Sequence, residues 1–115
     1  MKTDWILFVE TTVFTKRVRH LGLEEPLRAL QIELVENPAT GDVDAGTGGL
    51  RKVRIPDPVR NKGKRGGGRV HYLWIPNRKR IYLLFLYTKD ELDSLSKDQK
   101  KALKKIVDQI VSELQ

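Results

Sequence analysis

Leu50-Arg51-Lys52-Val53-Arg54-Ile55 and, beyond a glycine-rich stretch, Arg69-Val70-His71-Tyr72-Leu73-Trp74-Ile75 decide how this chain folds. Both runs are rich in β-branched, aromatic and long apolar residues, the composition of a pleated, half-buried strand. Side chains on a strand point alternately to its two faces. In the first run Val53 and Ile55 belong to the core, which sends Lys52 and Arg54 to the opposite face. In the second, a core face made of Val70, Tyr72 and Trp74 places Arg69 and His71 beside Lys52 and Arg54.

Outward from these runs the remaining elements follow. Lys79 to Tyr87 reads as a third strand, apolar at nearly every position from Ile81, and is predicted to be central with both faces covered. Pro76-Asn77-Arg78 joins it to the second run as a hairpin turn. Upstream, Asp4 to Glu10 reads as a strand, and Thr11 or Thr12 caps a short helix with Phe14, Val18 and Leu21 on one face. Gly22 stops that helix, and a second begins at Glu24-Glu25-Pro26, carries Leu27, Leu30 and Leu34, and ends at Asn37-Pro38. Ala39 to Gly49 has no periodicity and reads as a loop closing in the turn Gly46-Thr47-Gly48-Gly49. Downstream, Thr88 to Glu91 and Ser96 to Gln99 have the capping-box pattern, and Leu103, Ile106, Val107, Ile110 and Leu114 form a final helical stripe. The order is βααβββα: one α+β domain over residues 1–115, its small, mainly antiparallel sheet covered by helices on one face. Residues 56–68 are expected to form a mobile basic loop.

Charge is the functional signal. Between Arg51 and Arg69 lie eight basic residues and a single acid, Asp57, an excess equal to the net +7 of the whole 115-residue chain. So local an imbalance points to a polyanion site rather than to general solubility. Cysteine is absent, which excludes disulfides and thiolate chemistry. The first ten residues hold too few apolar positions for a leader or a membrane span, so cytoplasm is the expected compartment. His20 and His71 fall in different elements, and neither a metal nor a cofactor is expected.

RNA cleavage without a metal needs a base for the 2′-hydroxyl, cations for the pentacovalent phosphorane and a proton for the leaving 5′-oxygen. Arginine suits the charge role because its fork matches two phosphate oxygens and keeps its proton. Lysine serves as the base when neighbouring cations depress its pKa, and Lys52 crowded between Arg54 and Arg69 would meet that condition. The charge pattern by itself slightly favours a surface that only binds phosphate.

Gly48-Gly49-Leu50-Arg51-Lys52-Val53-Arg54-Ile55, Gly63-Lys64-Arg65-Gly66-Gly67-Gly68-Arg69-Val70-His71-Tyr72 and Tyr82-Leu83-Leu84-Phe85-Leu86-Tyr87-Thr88-Lys89-Asp90-Glu91 together resemble the RelE superfamily, most closely its HigB-like branch. The resemblance runs from the first strand to the last helix. It implies the toxin of a type II toxin–antitoxin pair, a ribosome-dependent mRNA endonuclease (an mRNA interferase) that cuts the A-site codon with the 2′-hydroxyl as nucleophile. By it, Lys52 and Arg54 would supply the base and charge stabilisation, and Arg69 would hold the scissile phosphate. Relatives place an arginine, tyrosine or histidine near the end of the last strand; here Tyr87 and Lys89 are the nearest substitutes. The implied partners are a HigA-like helix-turn-helix antitoxin, the 30S A site with its ribosomal RNA, and mRNA, with Arg60, Lys62, Lys64 and Arg65 docking to RNA. No membrane partner is implied. Other branches suggest alternatives: a non-enzymatic toxin acting on a protein such as gyrase, or an RNA- or ribosome-binding module that leaves messages intact.

The glycine-rich run 61–68 lacks the Gly-Lys-Ser/Thr ending of a nucleotide loop and precedes a strand, which rules that motif out. His71 reads either as a buried structural histidine or as a member of the catalytic face. Trp5, Tyr72, Trp74 and Tyr82 read as core.

Overall fold

The computed structural model describes residues 5–114. Strand β1 (Leu7–Glu10) leads to helices α1 (Thr12–Leu21) and α2 (Glu24–Glu36). Then come β2 (Asp42–Val43), β3 (Arg51–Ile55), β4 (Gly68–Ile75), β5 (Arg80–Thr88) and helix α3 (Lys97–Glu113). The sheet order is β1-β5-β4-β3-β2, with β1 parallel to β5 and every other pairing antiparallel. The fold is therefore α+β with a mixed sheet.

Helix boundaries follow local chemistry. Thr11 accepts the Phe14 N–H at 3.1 Å to cap α1, and Gly22 ends that helix at φ 71°. Ser96 and Gln99 exchange both bonds of a capping box at the start of α3. At Thr88–Glu91 the Glu91 carboxylate accepts the Thr88 N–H at 2.8 Å, but the chain makes a turn there instead of a helix.

Four expectations change. The Ala39–Gly49 loop contributes a two-residue edge strand, β2. The β4 strand, not β5, lies in the middle of the sheet. Strand structure in the first segment is limited to Leu7–Glu10; Asp4 lies outside the described residues, and Trp5 is 78% exposed rather than core. Finally, helices cover both faces of the sheet. Helices α1 and α2 enclose Ile55, Val70, Tyr72, Ile81, Leu83 and Leu86. Helix α3 instead places Leu103 and Val107 against Leu50, Leu73, Leu84 and Tyr87 on the other side. Each such side chain taken from water stabilises the fold by about 1.5–3 kcal/mol, so a second apolar sheet surface demands its own cover.

One irregularity bears on the site. His71 pairs with Phe85 while Tyr72 pairs with Leu83, so Leu84 is an extra residue in β5. This bulge reverses the alternation beyond it. Ile81 and Leu83 face α1 and α2, whereas Tyr87 faces the α3 side. Among the described residues no helix is long and apolar enough to cross a membrane.

Candidate active site

The ladder arranges the basic residues in two adjacent rows on the α3 side. Arg54 of β3 lies opposite Arg69 of β4, which lies opposite Tyr87 of β5. In the next row Asp42 of β2, Lys52, His71 and Phe85 follow one another across four strands. Directly opposed residues on antiparallel strands bring their Cβ atoms to about 4.5–5.5 Å, so each row is a line of touching neighbours. The expected juxtaposition of Lys52, Arg54, Arg69 and His71 is thus present. Lys52 is not wedged between Arg54 and Arg69, however; its direct neighbours are Asp42 and His71.

These residues differ sharply in exposure. Arg54 is exposed and Lys52 half-buried. Arg69 is buried, and its guanidinium donates to the carbonyls of Arg65 at 2.8 Å and of Lys64 and Gly68 at 3.3 Å. Burial and then the nearby Arg54 lower its pKa, yet a guanidinium keeps its proton. Three of its five N–H donors are committed to the glycine-rich segment, so Arg69 is first an anchor for that segment and second a source of positive charge.

Residues 56–68 are accordingly folded against the body of the protein rather than hanging free. Asp57, 1% exposed, exchanges backbone bonds of 2.8 Å with Lys62 and accepts the Arg60 N–H at 3.1 Å. The Arg60 guanidinium returns to the Asp57 carboxylate at 3.0 Å and to the Leu21 carbonyl at 3.1 Å. Arg60, expected among the RNA-docking cations, is instead tied to α1. Lys62, Lys64 and Arg65 are exposed. Lys64 shares an open groove of about 450 Å³ with Thr40, Asp42, Lys52 and Arg54. Lys89 is exposed past the end of β5, its backbone N–H bonded to the Gly67 carbonyl at 2.9 Å.

His71 and Tyr87 form the buried floor. Their rings stack with centroids 5.9 Å apart and planes at 27°. His71 is fully buried, and its Nε2 lies 2.8 Å from Asp44 Oδ2, while Lys100 of α3 holds Asp44 Oδ1 at 2.9 Å. Burial alone would raise the Asp44 pKa, but bonds from His71 and Lys100 bring it below the ordinary carboxylate value. Burial also lowers His71, against the pull of Asp44. The pair is therefore an ionised carboxylate accepting from a neutral imidazole, with the proton on Nε2. Tyr87 is pushed up by burial, with Arg69 opposing, so its phenol stays protonated.

His71 Nδ1 and the Tyr87 hydroxyl are buried without a hydrogen-bond partner. Such an atom costs about 1–3 kcal/mol, and here two lie on stacked rings beside a cationic row. Tyr72 shows the contrast: its hydroxyl donates to the Pro38 carbonyl at 2.8 Å and accepts the Gly41 N–H at 3.0 Å. Sequence reading missed Asp44 and Lys100, which lie 27 residues before and 29 after His71 and carry no local signal. No family model matches the chain.

Proposed function

We propose that the chain is a metal-independent endoribonuclease of the RelE superfamily, HigB-like branch, acting as the toxin of a type II toxin–antitoxin pair. The observation that carries this reading is the pair of ladder rows that gathers Lys52, Arg54, Arg69 and Tyr87 on one sheet face. The substrate is mRNA in the ribosomal A site. Its 2′-hydroxyl gives its proton to solvent and attacks the phosphorus, with Lys52 beside it as a cation; a 2′,3′-cyclic phosphate forms as the bond to the 5′-oxygen breaks. Arg54 and Arg69 stabilise the charge on the phosphorane oxygens. Tyr87 lies beneath this row with its hydroxyl buried, so the departing 5′-oxygen takes its proton from solvent. Lys62, Lys64 and Arg65 contact ribosomal RNA, and a HigA-like antitoxin neutralises the protein in the cytoplasm.

The burial of Arg69, His71 and Tyr87 favours a second reading, an RNA-binding module that grips phosphate through Lys52, Arg54 and Lys64 alone. Primer extension on messages from cells expressing the chain decides between them. New 5′ ends within translated codons, lost in Lys52→Ala and Arg54→Ala, are expected for the nuclease. Intact messages during growth arrest would overturn it. These two substitutions are preferable to Arg69→Ala, which also releases the glycine-rich segment.

A further inference from the structure

We propose that Asp44 and His71 are a positioning pair for the candidate catalytic face. Asp44 commits the Nε2–H of the imidazole and leaves Nδ1 as a free acceptor, on a ring stacked against Tyr87 and opposite Lys52. This role rests on the nuclease reading above and adds to it the residues that hold its reacting groups in place.

His71 is the hub of the surface. Lys52 of β3 lies directly across from it, Arg69 is two positions earlier on its own strand, and Tyr87 of β5 stacks on its ring. From above, Asp44 bonds Nε2, and Lys100 of α3 bonds Asp44 and also the Ala45 carbonyl at 3.1 Å. Buried side-chain polar atoms are as a rule hydrogen-bonded, and on this ring one nitrogen is held and the other is not.

The direction of the hydrogen bonds is fixed by Lys100. An ammonium only donates and a carboxylate only accepts, so Oδ1 serves Lys100 and Oδ2 takes the imidazole N–H. The imidazole ring is thereby fixed in rotation as well as in tautomer, and with it the shelf on which the Tyr87 phenol lies. This is the same logic by which a buried carboxylate orients a histidine in hydrolases.

The arrangement yields a test that a merely structural role would fail. In Asp44→Asn the amide oxygen must face Lys100, because two donors cannot face each other. The amide NH2 then meets His71 Nε2 and forces the proton to Nδ1. In Asp44→Asn/Lys100→Met that constraint is gone, the amide turns, and the Nε2–H tautomer returns. Imidazole 15N–1H correlation spectra of the full chain follow the tautomer, and single-turnover cleavage of mRNA on saturating programmed ribosomes follows the reaction. Asp44→Asn is expected to switch the tautomer and slow cleavage by roughly tenfold to a hundredfold, with unchanged half-saturation. The double variant, with fewer contacts, should recover both. An Asp44→Asn protein that cleaves as fast as the wild type, or a double variant that regains the tautomer but not the rate, overturns the positioning role alone. A wild-type protein that leaves ribosome-bound messages uncut overturns the nuclease and this role together.

Discussion

Arg54 and Arg69 stand directly opposite each other on adjacent antiparallel strands, the first exposed and the second buried. Like charges so placed repel, by about 0.2–1 kcal/mol across a ladder. A fold has no reason to keep that pairing for stability. Arg54→Thr should therefore raise the free energy of unfolding by a few tenths of a kcal/mol to about 1 kcal/mol, more at low salt. RNA cleavage should fall at the same time by about a hundredfold, the usual cost of removing one charge-stabilising group. Urea titration at two ionic strengths, paired with a cleavage assay, checks both halves; a variant both less stable and fully active would refute the assignment.

Arg69 binds the glycine-rich segment through three backbone carbonyls. Lysine carries the charge but not the fork, so Arg69→Lys should lose about 1.5–3 kcal/mol of charge-assisted bonding. The side chains of Lys64 and Arg65 are already exposed, and freeing the segment lets the backbone there adapt to the trypsin active site. Limited proteolysis should cut Arg69→Lys there while the wild type resists.

The buried His71 predicts a pH dependence of known sign. Its folded pKa lies below the ordinary 6.5, chiefly through burial, so unfolding takes up a proton. The stability tied to the neutral ring is complete above pH 6.5 and declines as pH falls from there toward the folded value. Asp44, held below 3.8 despite its burial, adds a second loss at pH values under that figure. Thermal melts from pH 7.5 to pH 5 should show Tm falling over the first window. In His71→Gln that slope should be much reduced; an unchanged slope would place the titration elsewhere.

Two glycines of one basic run should respond oppositely to alanine. A Cβ on Gly67 would stand 2.3 Å from the Ile55 carbonyl and 2.8 Å from that of Gly63, both backbone atoms with nowhere to move. On Gly63 it would meet nothing within 4 Å. Gly67→Ala should cost about 1–3 kcal/mol or more, by the measure of other overpacked sites. Gly63→Ala should leave the chemical denaturation midpoint nearly unchanged.

Much of this architecture is local and was legible as such. Thr11 and Gly22 bound α1 because capping is a contact within one turn. Val53 and Ile55 oppose Lys52 and Arg54 because side-chain alternation is a property of a single strand. The same rule, applied to two neighbouring strands with apolar core positions, brought Lys52, Arg54, Arg69 and His71 to one surface. The rule does not reach Tyr87, whose facing depends on the extra residue Leu84, and a bulge is defined only against its partner strand.

Local chemistry was enough for the α+β class, for the limits of the three helices and for the charged side of β3 and β4, since all of these depend on neighbours in the chain. How the charges are used came from contacts between distant segments. Arg69 is spent largely on carbonyls of its own loop, Arg60 is tied to Asp57 and Leu21, and His71 is bonded to an acid from a distant turn that a helix lysine secures. Hydrogen bonds and burial are relations between surfaces that meet only after the chain has folded, and two residues far apart in sequence carry no mark of that meeting.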